Sequence, residues 1–141
     1  DASLKRLNTA VGLSNHTGSL LTQKRGPMQA LMSKLLEHNL YFLDSKTSSK
    51  SVAIEIANKL NVPNISRDFF LDNVKKDASM EEIFERAIKL SRKTGEALII
   101  AHPYASSLGF LESKLKMLPE DVELVFASEL ATSYLKAPGP L

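Results

Sequence analysis

Short apolar runs, each ending in a residue able to do chemistry, alternate along this chain with stretches of helical periodicity. Residues 97–101 run into His102-Pro103, and Leu40-Tyr41-Phe42-Leu43 ends at Asp44. Phe69-Phe70-Leu71 ends at Asp72, and the run around Val11-Gly12-Leu13 leads into Ser14-Asn15-His16. Apolar runs of this length predict strands covered on both faces. Between them, Met28, Leu31, Met32, Leu35 and Leu36 share one helix face, opened by Gly26-Pro27 and closed near Asn39. Val52, Ile56, Ala57 and Leu60 mark a second helix, with Ser48 or Ser49 as cap and Asn61 near its end. Ser79-Met80-Glu81-Glu82 matches a capping box. The helix it opens carries Met80, Ile83, Phe84, Ala87 and Ile88 on one face and ends at Gly95 as a left-handed cap. Leu108, Leu111, Leu115 and Leu118 predict another helix, stopped by Pro119, and residues 122–127 predict a fifth strand.

Strand and helix in alternation predict an α/β fold on a parallel sheet, either open or part of a barrel. In such folds the residues just past the strands line one face, where active sites form. His16, Asp44, Asp72 and His102 are therefore the candidates that matter.

Composition narrows the chemistry. The chain has 141 residues, 43% of them hydrophobic, enough for a real core. Its 18 basic and 16 acidic residues leave a formal charge of +2, with no basic stripe to hold nucleic acid. Cysteine is absent, which excludes thiolate catalysis, thiolate-bound zinc and disulfides. No apolar stretch approaches the roughly 20 residues that a membrane-spanning helix needs. No nucleophile elbow, phosphate loop or dinucleotide fingerprint is present.

Each candidate has a functional and a structural reading. His16, followed by Thr17-Gly18-Ser19, is a metal ligand or general base, or else a residue that shapes its turn. Pro103 holds His102 in extended backbone, which suits a ligand and a structural anchor alike. His38 sits on a polar helix face beside Glu37 and is read as solvated. Asp44 and Asp72 can ligate a metal, orient a histidine or act as acid or base, or they cap the turns that follow. Arg67 and Asp68 could pair with each other. Ser45, Thr47 and Ser51 could bind an anionic or hydroxylated ligand or cap a helix. A phosphate-directed hydrolase working through Asp44 is disfavoured, because Lys46 stands where a second aspartate would be needed.

Taken in order, these segments resemble the divergent polysaccharide deacetylases, relatives of the NodB-type carbohydrate esterases. The resemblance is carried by residues 12–19, by Phe42-Leu43-Asp44-Ser45-Lys46-Thr47 with Ser51, by residues 67–73, by Ala101-His102-Pro103 and by Val125-Phe126-Ala127-Ser128. It implies a distorted (β/α) barrel, with the site at the strand C-terminal ends. It also implies an early strand ending in paired aspartates. Residues 1–10 are too short and polar to supply that strand. The expectation is an incomplete barrel, with residues 1–136 the C-terminal part of one domain and 137–141 a Pro/Gly tail.

The activity implied is hydrolysis of an N- or O-acetyl group on a carbohydrate. A divalent metal, zinc above all, would be held by His16 and His102, with Asp44 and Asp72 as catalytic carboxylates. Asn15, Ser45, Thr47 and Arg67 would contact the substrate, and the location implied is the bacterial cell envelope or periplasm. Two departures stand out. The esterases place a second metal-binding histidine four residues after the first, where this chain has Leu20, and Ala101 replaces the usual glycine before His-Pro. Loss of that histidine keeps a second reading open: a catalytically silent glycan-binding or protein-interaction domain on the same scaffold.

Overall fold

The computed structural model describes residues 6–7 and 9–136. The tail expected at 137–141, and most of 1–10, lie outside the described residues. The chain falls into two compact units. One holds the described residues up to Ser66 and again from Phe126, and the other holds Arg67–Val125.

In the first unit, β1 (Gly12–Ser14), β2 (Tyr41–Asp44) and β3 (Asn64–Ser66) form a parallel sheet in that order. The connections are α1 (Arg25–Glu37), preceded by a 3-10 turn at Leu21–Gln23, and α2 (Ala53–Lys59). Pro27 lies in the first turn of α1, where a missing N–H forfeits no helical bond. Asn39 and Asn61 follow α1 and α2 with φ of 55° and 56°, the left-handed geometry asparagine tolerates best after glycine. Met28, Met32 and Leu35 of α1 pack with Phe42 and with Ala53, Ile56 and Ala57 of α2 into one core. Leu36, expected on that face, is 46% exposed. Nor are the strands covered on both faces throughout: β2 alternates half-buried and buried residues, Phe42 pointing into the core.

The register pairs Gly12 with Tyr41. A Cβ built on Gly12 would lie 2.3–2.6 Å from three carbons of the Tyr41 ring, well inside contact distance. Gly12→Ala is therefore expected to destabilise the protein by about 1–3 kcal/mol, the range for overpacking, measured as a lower urea midpoint at unchanged slope.

In the second unit, β4 (Phe69–Phe70) and β5 (Ile99–Ile100) form a parallel pair joined by α3 (Asp77–Thr94). Met80, Phe84 and Ala87 of α3 are buried, as the periodicity required, and Gly95 caps the helix with φ of 95°. The capping box at Ser79 does not form. Lys76 is the last extended residue, α3 opens at Asp77, and the Ser79 amide bonds the Lys76 carbonyl within the first turn. The helix opening at Ala53 likewise takes no cap from Ser48 or Ser49; Ser51 Oγ accepts the Ala53 amide at 3.3 Å. After β5 comes α4 (Ala105–Leu115), whose Phe110 packs edge-on against Phe84.

The fifth strand expected at 122–127 is absent. Residues 122–126 have no regular structure and Ala127 opens α5 (Ala127–Lys136) instead. Strand propensity alone cannot satisfy a backbone that lacks a partner strand, and none flanks this segment among the described residues. The Phe126 amide is met by Glu129 Oε1 at 3.1 Å, half of a capping box. α5 packs on β2 and β3, with Ala131 fully buried. Both sheets are parallel, and the described residues contain no closed barrel.

Candidate functional site

Parallel strands deliver their following residues to one edge, and each unit shows what its edge holds. In the first unit, extending the β1–β2 register by one step sets Asn15 beside Asp44. Asn15 Oδ1 accepts the Ser45 amide at 2.9 Å, and Ser45 Oγ donates to the Asn15 carbonyl at 2.5 Å. Thr47 Oγ1 donates to the Thr17 carbonyl at 2.9 Å. The loops after β1 and β2 are thus tied together by the residues singled out as substrate-binding.

These loops bend sharply. Thr17, Gly18 and Lys46 have φ of 56°, 71° and 48°. Asp44 holds the second bend: Oδ1 accepts the Lys46 amide at 2.8 Å and Oδ2 accepts the Ser51 hydroxyl at 2.7 Å. The residue is 1% exposed, and both oxygens are engaged with its own loop. His16 is exposed, and its ring makes no hydrogen bond among the described residues.

In the second unit, the register of Phe70 with Ile100 continues by two residues to Asp72 beside His102. The two side chains meet. Asp72 Oδ1 lies 2.8 Å from His102 Nδ1, while Oδ2 accepts the His102 amide at 2.6 Å and the Ser107 hydroxyl at 2.7 Å. The Asp72 side chain is fully buried, whereas that of His102 is 40% exposed. Burial pushes the Asp72 carboxyl up, but the hydrogen bonds from the His102 ring and amide and from Ser107 outweigh it and hold the group below its ordinary value. An ionised carboxylate only accepts, so in the neutral form of the ring the proton sits on Nδ1 and the lone pair on Nε2.

Aromatic rings flank that imidazole. Phe70 stacks on it with centroids 6.0 Å apart, and Tyr104 lies at 5.4 Å. The Arg67 guanidinium sits 3.8 Å over Phe70, and the Lys75 ammonium 3.5 Å over Tyr104. Ser107, Tyr104 and Lys75 were missed from sequence. The polar Ser106-Ser107 pair in the first turn after His-Pro-Tyr was the available signal for Ser107. For Lys75 there was none, since its role depends on a loop conformation.

The structure thus brings Asp72 to His102, and ties Asn15 to Ser45 and Thr47 to the neighbouring loop. Among the described residues no three His, Asp or Glu side chains gather into a group able to hold a metal ion. No helix among them is long and apolar enough to cross a membrane.

The comparisons with known proteins bear on this arrangement. The chain is 41% identical over 116 residues to an uncharacterized protein of Haemophilus influenzae, covering 82% of this chain and 41% of that protein. It is 40% identical over 121 residues to the uncharacterized protein YibQ of Escherichia coli K12, covering 86% of this chain and 38% of that one. The chain therefore spans about two fifths of the length of these curated relatives. A crystal structure of the uncharacterized protein ATU2773 from Agrobacterium tumefaciens C58 superposes with a TM-score of 0.83 at 21% identity, over 92% of this chain and 56% of that one. That likeness shows a shared fold. The model of the divergent polysaccharide deacetylase family matches residues 1–131. The chain belongs to the divergent polysaccharide deacetylase family.

Proposed function

We propose that this chain supplies the proton-transferring part of a carbohydrate deacetylase, acting on an N- or O-acetyl group of a glycan. One observation carries the reading: His102 Nδ1 lies 2.8 Å from the fully buried Asp72 carboxylate while the imidazole itself is 40% exposed. That is the arrangement general acid–base catalysis needs. A water adding to the acyl carbon gives its proton to Nε2. The same nitrogen returns the proton to the leaving amine or alkoxide as the C–N or C–O bond breaks, and acetate departs.

Asp72 is then the positioning residue, and Asp44 serves by holding its loop. Asn15, Ser45 and Thr47 at the edge of the first unit are proposed as sugar contacts there, and Arg67 is proposed as one within the second unit. The complete barrel and the envelope location belong to the same proposal and rest on the family match.

A divalent metal such as zinc would polarise the acyl carbonyl when bound. The donor set of the described residues does not fit a site with three protein ligands: no such group forms, and Leu20 occupies the place of a second histidine. His16 is proposed as one donor among others in the whole protein. Nε2 of His102 has a single lone pair, so it serves a proton or a metal at any one moment, and the proton role is the one its setting supports.

The same missing histidine favours the second reading, a silent glycan-binding module. Acetate release from an acetylated glycan by the whole protein, with bound metal quantified on the same sample, separates the two. The hydrolase reading expects turnover, with metal and turnover both reduced in His16→Ala. Glycan binding without acetate release would establish the silent module instead.

A further inference from the structure

Of the three donors that converge on Asp72, two belong to His102 itself, its ring and its amide. The third, the Ser107 hydroxyl, comes from the first turn of α4 and reaches Oδ2 at 2.7 Å. The difference matters because the torsion that turns a carboxylate is soft, with no narrow rotamer to hold its plane. Hydrogen bonds must hold it instead. The ring bond is the one to be aligned, and the amide belongs to the residue that carries the ring. Ser107 alone among these donors ties the carboxylate to a separate element.

That element is itself anchored. Ser107 and Phe110 are the buried residues of α4, one turn apart, and Phe110 packs edge-on against Phe84 of α3. The Ser107 residue and the Asp72 side chain are both fully buried, so the hydroxyl meets the carboxylate away from bulk water. With Oδ2 taken by Ser107 and the His102 amide, Oδ1 is left for the imidazole. We infer that Ser107 is a second positioning residue, whose hydroxyl holds the Asp72 carboxylate with Oδ1 turned to the His102 ring and so keeps the ring proton on Nδ1. The inference rests on the proton-transfer role proposed above and adds to it the helix-borne group that aligns the pair. A side chain that only filled the space beside Asp72 could be exchanged for any of serine's size, whereas a donor could not.

Ser107→Ala and Ser107→Cys in the whole protein test it. Alanine removes the hydroxyl, and cysteine fills nearly the same space with a weak donor. Nitrogen-15 NMR of the neutral His102 ring is expected to show, in both variants, part of the proton moved from Nδ1 to Nε2. On the same samples kcat for acetate release is expected to fall by about tenfold, the rate equivalent of one hydrogen bond to a charged group, with KM unchanged. A wild-type ring spectrum in Ser107→Ala would overturn the inference. So would a wild-type spectrum in Ser107→Cys, which would make Ser107 a space-filler. Failure of the hydrolase reads differently. A wild-type protein that releases no acetate sinks that activity, while the ring spectra of the two variants still decide whether Ser107 aligns the pair.

Discussion

On the proposed hydrolase reading, His102→Asn is expected to lower acetate release by about 10²–10⁴-fold, the usual contribution of a positioned acid–base group. Asparagine is the informative replacement. Its amide nitrogen lies close to where Nδ1 was, so it can still donate to Asp72 Oδ1, but nothing replaces Nε2. Stability is accordingly expected to change by no more than about 1 kcal/mol, because the buried carboxylate keeps its donors. The loss is expected in kcat, with KM nearly unchanged, since the proton moves only during bond making and breaking. A variant retaining most of the wild-type rate would remove His102 from the chemistry. Urea unfolding of the same sample shows whether any loss comes from the fold.

Asp72→Asn has the second large effect, and it falls on fold and rate together. Three donors converge on this one side chain: the His102 amide, the His102 ring and the Ser107 hydroxyl. Asparagine offers one acceptor oxygen and turns an NH₂ group toward donors, leaving buried polar groups unsatisfied. A loss of about 1–3 kcal/mol is expected in urea unfolding at neutral pH. The imidazole also loses the acceptor that kept the proton on Nδ1, so the rate falls by up to about 10⁴-fold, as when an orienting carboxylate is made an amide.

The pH dependence follows with a definite sign. The folded carboxyl of Asp72 sits below its unfolded value, so its stabilising contribution is complete above the unfolded value. It is lost as pH falls through the folded one. The stability gap between wild type and Asp72→Asn is therefore expected to narrow in acid and to remain constant through the neutral range. A gap independent of pH down into strong acid would show that Asp72 is not ionised when folded.

Much of this was written in the sequence, and the parts that were not have physical reasons. Phe69-Phe70 and Ile99-Ile100 announced strands because they belong to short apolar runs too brief for a helix and rich in aromatic or β-branched residues. Once two parallel strands are in register, the residues beyond them must meet, so Asp72 orienting His102 was among the legible options. Strand β3 was not legible. It is three residues long, follows Pro63 and begins with Asn64, a buried polar residue whose amide donates to Asn58 and to the Val62 carbonyl. Burial of that asparagine depends on partners no periodicity displays. At residues 122–127 the error ran the other way. Valine, leucine and phenylalanine carry strand propensity wherever they fall, but a ladder also needs a neighbouring strand.

The first unit's candidates show a further limit. Sequence placed Asn15, Asp44, Ser45 and Thr47 at strand ends correctly, yet their hydrogen bonds run largely to each other and to their own loops. Strand-end position says where a side chain starts. What it binds depends on the bends at Thr17, Gly18 and Lys46, which are set by backbone angles that composition does not encode.

The role proposed for His102 depends on which of its ring nitrogens holds the proton. Nitrogen-15 NMR of the histidine rings in the whole protein, assigned by comparison with His102→Asn, reads this directly. At a pH where the ring is neutral, the expected spectrum has Nδ1 protonated and Nε2 bare, and Asp72→Asn shifts that balance. A neutral His102 protonated on Nε2 in the wild-type protein would contradict the proposal, because the nitrogen proposed to take the proton from water could not accept it.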